Sequence, residues 1–178
     1  MKDLRKAYFE SIKKAIKENV MTTAPDGRIA SDAMWRNISK SSKLYNRIDL
    51  NYLAAHTRLP LASFLASIHV SRSDRCRLCS EAPETQEHLF YHCNIVQELK
   101  STLNRDIARM KTAPKPIRTY LLLMTHTPKV SRDVNELLSI FKQCIWQVRG
   151  ALFYGPENIN NIRNELKTLY IEKKARTS

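Results

Sequence analysis

The stretch Cys76-Arg77-Leu78-Cys79-Ser80-Glu81-Ala82-Pro83-Glu84-Thr85-Gln86-Glu87-His88-Leu89-Phe90-Tyr91-His92-Cys93 decides how the rest of the chain is read. Its sulfur and imidazole groups follow the spacing C-x2-C-x8-H-x4-C. Two cysteines either side of a tight turn present their thiolates on one side. Thr85 is placed to cap a short helix reaching His92, which delivers His88 and, at its end, Cys93. Three thiolates and one imidazole make a tetrahedral set of the kind zinc takes, and four protein ligands leave no position for water. The spacing therefore predicts one structural Zn2+ on Cys76, Cys79, His88 and Cys93. His92 competes with His88 for the third place, but neighbouring side chains on a helix diverge and His92 adjoins Cys93, so His88 is preferred. His56, His69 and His126 read as partly buried or surface histidines with no metal role, and Cys144, in an apolar helical pattern, as core.

Outward from this segment the chain reads as mainly α, a helical domain with a small embedded CCHC zinc knuckle. Only three glycines are present, which disfavours a turn-rich β fold and a glycine-rich phosphate loop. The residues divide into an N-terminal helical segment over 1–71, the knuckle over 72–95 and a C-terminal helical segment over 96–178, forming one compact unit. Residues 2–20 carry Leu4, Tyr8, Ile12 and Ile16 along one face, and a short helix follows around Met34, Trp35 and Ile38. Residues 44–56 align Leu44, Ile48, Tyr52 and Ala55, and Pro60 suits the first turn of a helix to Val70. Residues 72–84 predict a small knuckle or hairpin. Asn94 can cap a helix to Lys111. A short apolar piece covers 117–126, and a long helix runs from Ser131 to a Gly155-Pro156 stop. A last amphipathic helix over 157–174 sets Ile159, Ile162, Leu166, Leu169 and Tyr170 on one side.

Lysine and arginine number 30 against 17 acidic residues, a formal charge of +13. Such an excess speaks to partners, and the polyanion it fits best is RNA or DNA. The charge is uneven. Residues 76–93 hold Arg77 against Glu81, Glu84 and Glu87, whereas 94–130 hold seven basic side chains against Glu98 and Asp106. The expected division of labour is that zinc fixes the fold and neighbouring helices hold nucleic acid, through Lys100, Arg105, Arg109, Lys111, Lys115 and Arg118, with Arg72, Arg75 and Arg77 as weaker candidates. A protein partner or a second copy of the chain is the alternative, with the acidic knuckle as a rigid platform. No apolar run approaches the roughly 20 residues that cross a bilayer, so no membrane is expected. No secretory pattern opens the chain, and reduced thiols suit the nucleus or cytoplasm.

The stretch Leu50-Asn51-Tyr52-Leu53-Ala54-Ala55-His56-Thr57-Arg58-Leu59-Pro60-Leu61, the Cys76-x2-Cys79 pair, Glu84-Thr85-Gln86-Glu87-His88-Leu89-Phe90 and Cys93 together resemble the C-terminal zinc-binding region of non-LTR (LINE-type) retrotransposon reverse transcriptases. Ile145-Trp146-Gln147-Val148-Arg149 resembles the Trp-x-x-Arg helix that follows such fingers, so the likeness runs over about residues 45–155. It departs at His56-Thr57, where the family has Gly before His. The resemblance implies that Cys76, Cys79, His88 and Cys93 are the ligands, and that such a region helps a polymerase hold template RNA or target DNA. A polymerase palm needs carboxylates for two magnesium ions, and no two acidic residues here are adjacent. The chain is also too short for fingers, palm and thumb, so a fragment or a stand-alone derivative is expected. Pro156-Glu157 and Glu165-Leu166-Lys167 only faintly echo a nuclease, on a helical pattern where that chemistry wants strands. No enzyme activity is expected.

Overall fold

The computed structural model describes residues 44–110, 132–152 and 158–176, with Ile38 and Ser42 beside them. The expected helices over 2–20 and around Met34 and Trp35, the apolar piece 117–126, the Gly155-Pro156 stop, and Lys111, Lys115 and Arg118 lie outside the described residues. Among the described residues, five α-helices carry the fold: α1 (Tyr45–Ala55), α2 (Ala62–Ser67), α3 (Gln97–Ala108), α4 (Arg132–Ala151) and α5 (Ile159–Ala175). Between α2 and α3 come a Cys-rich loop, a wide π-type turn at His88–His92 and a 3-10 turn at Asn94–Val96. No strand occurs among the described residues; the loop is closed by one isolated antiparallel bridge, Arg75 to Pro83.

Helix α4 lies at the centre because it is apolar on more than one side. Val134, Leu138, Ile140, Phe141, Cys144, Ile145 and Val148 are fully buried, packed with Leu103 and Ile107 of α3 and Ile162, Leu166 and Tyr170 of α5. Leu89 and Phe90 of the π-type turn join the same core, so the loop's far end is anchored in it. Burying one such aliphatic or aromatic side chain stabilises the fold by roughly 1.5–3 kcal/mol. Cys144 is core, as its setting in the sequence predicts, and burial pushes its thiol up to about 12.

The fourth side of α4 is polar, and it turns α1. The buried residues of α1 are Arg47, Leu50, Asn51, Ala54 and Ala55; of the residues expected inward, Ala55 is buried and Ile48 half-buried, while Leu44 and Tyr52 are exposed. Arg47 pairs with Glu136 and donates to Gln143 Oε1 at 2.8 Å. Asn51 donates to Ser139 Oγ at 2.7 Å and accepts from Lys142 Nζ at 3.3 Å. A stripe of Glu136, Ser139, Lys142 and Gln143 at helical spacing thus selects the polar flank of α1, and the apolar count along α1 alone misplaces its inner face.

Helices α1 and α2 stop without glycine. Thr57 takes φ 52° and His69 φ 58°. Thr57 N–H donates to Ala54 O and Arg58 N–H to Leu53 O; His69 N–H and Val70 N–H do the same with Ala66 O and Leu65 O. These are Schellman endings, which satisfy the last carbonyls but favour glycine at the left-handed residue. Helix α2 starts two residues after Pro60 and is shorter than expected. Helix α4 ends at Ala151, and α5 begins at Ile159, where Asn158 accepts from Asn160 N–H at 2.9 Å.

Candidate metal centre

Three local devices bring the site together. The first is the turn at Cys76–Cys79. Cys76 N–H donates to Ala82 O and Ser80 N–H to Cys76 O, both at 2.8 Å, with Ser80 at φ 60°. Glu81 N–H points at Cys79 Sγ at 3.5 Å. Backbone N–H groups aimed at sulfur favour the ionised form of a thiol.

The second device is the approach of the imidazole. Thr85 Oγ1 accepts from His88 N–H at 3.0 Å, so Thr85 opens the helical turn as the sequence predicts. The turn then widens, with Cys93 N–H donating to His88 O at 2.7 Å. In an α-helix residues five apart point about 140° away from each other, at about 100° per residue. An i to i+5 turn winds less per residue and brings His88 and Cys93 back toward one side. His92 points away, its Nε2 3.3 Å from Glu87 Oε1 at the surface. Asn94 does not cap α3 as expected; its amide donates to both Glu81 carboxylate oxygens at 2.8 Å.

The third device is Glu84. Its carboxylate is fully buried and accepts from Ala62 N–H at 2.7 Å, Arg77 N–H at 3.0 Å and the Arg149 guanidinium at 2.6 Å. Arg149 also donates to Pro60 O at 2.8 Å and lies over the Trp146 ring at 4.5 Å. One side chain therefore ties the start of α2, the Cys76–Cys79 turn and the end of α4. In the sequence Glu84 counts as one of three surface acids of the loop, and the fold neutralises it with a buried arginine. The only trace in the sequence is the Trp146-x-x-Arg149 pattern, which names no partner.

Cys76 Sγ, Cys79 Sγ, Cys93 Sγ and a ring nitrogen of His88 all lie within 4.8 Å of one another, with Cys79 Sγ 3.3 Å from His88 Nε2. The cysteines are buried and His88 half-buried. A family model described as zinc-binding in reverse transcriptase matches residues 7–99, just over half of the chain. The chain belongs to this family. No curated protein and no solved structure matches it. The family match spans the likeness read at 45–99 and stops before Trp146 and Arg149.

The four residues of this zinc-binding region fit zinc. Around a tetrahedral zinc, with bonds of about 2.3 Å to sulfur and 2.0 Å to nitrogen, ligand atoms lie roughly 3.5–3.8 Å apart. The cluster needs a contraction of about an ångström at most to close on an ion. Its protons agree. The neighbouring Cys93 thiol holds the Cys76 thiol well below its usual range, and the same proximity, with burial, pushes Cys93 up. Burial also raises Cys79. Three sulfurs this close cannot all ionise without a cation among them, and a dication is what would allow it.

The basic residues singled out in the sequence fall in different settings. Arg105 and Arg109 are exposed on and just after α3. Lys100 is half-buried, its ammonium donating to Tyr91 O at 2.9 Å and lying 4.0 Å from the Tyr91 ring centre. Arg72 and Arg75 are exposed, and Arg75 donates to Glu81 O at 2.9 Å. Arg77 is half-buried. Among the described residues no helix is long and apolar enough to cross a membrane.

Proposed function

We propose that this chain is a non-catalytic module that holds nucleic acid, RNA or DNA, with one zinc ion on Cys76, Cys79, His88 and Cys93 fixing the surface that does so. The observation that carries the reading is a closed set of four ligand side chains in a member of a reverse-transcriptase zinc-binding family. Bound zinc would cross-link the Cys-rich loop to the π-type turn and keep three thiolates ionised; with four protein ligands it has no open position for a reacting water. The partner follows from charge, +13 over the chain, with the cations away from the acidic loop. Arg105 and Arg109 are the best-placed described contacts, Arg72 and Arg75 come next, and Lys100 is engaged by Tyr91. Reduced thiols suit a nuclear or cytoplasmic setting.

The test is a salt titration of binding to RNA and to duplex DNA. The expected result is a logarithmic affinity that falls linearly with logarithmic salt, by about 0.9 per phosphate contacted on duplex and about 0.7 on a single strand. An affinity flat in salt overturns the reading. A second reading, a platform for a basic protein, rests on Glu81 and Glu87, which keep the outer face of the loop acidic and exposed. Co-purification of a stoichiometric partner after nuclease treatment favours it.

A further inference from the structure

Between α3 and α5 lies a cleft of about 420 Å3, lined by none of the metal-cluster residues. That volume falls within the range of small-molecule pockets. Arg105 and Arg109 stand on its α3 side and Lys174 on its α5 side. One carboxylate faces these three cations. Asp106 is buried, accepts from Tyr170 Oη at 3.2 Å, sits 2.8 Å from Lys174 Nζ and lies 3.8 Å from Arg109. Asp106 thus holds the Lys174 ammonium at the rim and leaves the cleft with a positive excess. The α5 wall also carries Ile171, a large apolar side chain 55% exposed.

Cations on both rims, joined through Asp106, with an exposed apolar side chain on the α5 wall, suit a particular geometry of polyanion. A duplex shows its phosphates on a convex outer surface and hides its bases, so it can use the rims and not the wall. An unpaired strand can set phosphates on both rims and turn a sugar or base toward Ile171. We propose that the α3–α5 cleft is the seat of an unpaired nucleic-acid strand, with Arg105, Arg109 and Lys174 on successive phosphates. This rests on the nucleic-acid reading above and adds to it a site, a further residue and a preference for single strands.

The test uses the full zinc-loaded chain and a fluorescent uridine dodecamer, with a duplex of the same length as comparison. The triple variant Arg105→Gln/Arg109→Gln/Lys174→Gln is expected to lower the salt slope for the dodecamer by about 2, three contacts at roughly 0.7 each. Arg132→Gln, which removes an exposed charge at the start of α4, outside the cleft lining, is expected to leave that slope nearly unchanged. Because Lys174 also supports Asp106, a second variant, Ile171→Glu, places a repelling charge on an exposed position, and it should weaken binding without moving the thermal midpoint. Salt-sensitive binding by the wild type that the cleft variants leave intact overturns the cleft and spares the wider reading. Duplex bound as tightly as the dodecamer, with the same loss in the triple variant, overturns the preference for unpaired strands. No binding of either probe by the wild type overturns both.

Discussion

Glu84 is the residue on which the Cys-rich loop hangs, because it answers a backbone N–H of α2, one of the turn and the Arg149 guanidinium at once. Removing one partner of a buried ion pair leaves the other charge without compensation, at a cost of about 3–5 kcal/mol. Glu84→Gln should therefore lower stability by about that much in denaturant unfolding, and adding Arg149→Met should recover part of it. A loss equal in single and double variants would show that Arg149 is not the coupled group. Thr57 gives the opposite expectation. A β-branched residue at φ 52° is strained by about 1–2 kcal/mol, partly offset by its own hydroxyl, which donates to His56 O at 2.7 Å. Thr57→Gly is expected to raise stability by about 1 kcal/mol, read as a higher denaturant midpoint; a lower midpoint counts against the strain. The four-residue cluster that could hold the metal is legible in the sequence because ligand chemistry and spacing are local. Glu84 is not, since nothing local distinguishes a buried acid from Glu81 or Glu87.

At the scale of elements, the helices are legible from their apolar periodicity and their ends only in part. The spacing of Ile162, Leu166 and Tyr170 gives the inner face of α5, with Leu169 half-buried beside it, while Ile159, expected on the same face, is exposed at the helix start. The same reasoning misplaces α1, where Arg47 and Asn51 turn inward to meet Glu136, Ser139, Lys142 and Gln143. A polar seam between two helices has no signature in either helix alone. Its most costly member is Lys142, fully buried, whose ammonium burial pulls down from 10.5 to about 7. Between those values the unfolded chain keeps a proton that the folded chain releases. Stability therefore rises as pH climbs from about 7 toward 10.5, and the full cost of burying the charge is present below 7. Lys142→Met, similar in volume, should flatten that part of the curve of unfolding free energy against pH. A slope unchanged by the substitution would mean that Lys142 is solvated in the fold.

For the whole molecule, the question is how far the metal site supports the rest. Structural zinc contributes about 10–16 kcal/mol in isolated fingers, enough to be their whole folding energy. Here α3, α4 and α5 bury Leu103, Ile107, Phe141, Ile162 and Tyr170 against one another without any ligand among them. Chelation should therefore free the amides of residues 76–93 and of Ala62 to exchange with solvent while α4 and α5 stay protected and most helical circular dichroism remains. Complete loss of the helical signal would show that the core depends on the ion. The most direct measurement of the central claim is zinc K-edge X-ray absorption on protein purified without chelators. One zinc per chain, with three sulfur neighbours at about 2.3 Å and one nitrogen at about 2.0 Å, lost in Cys76→Ser, is the result expected. Protein that is folded and metal-free, or a zinc with oxygen neighbours in place of these four groups, would contradict it.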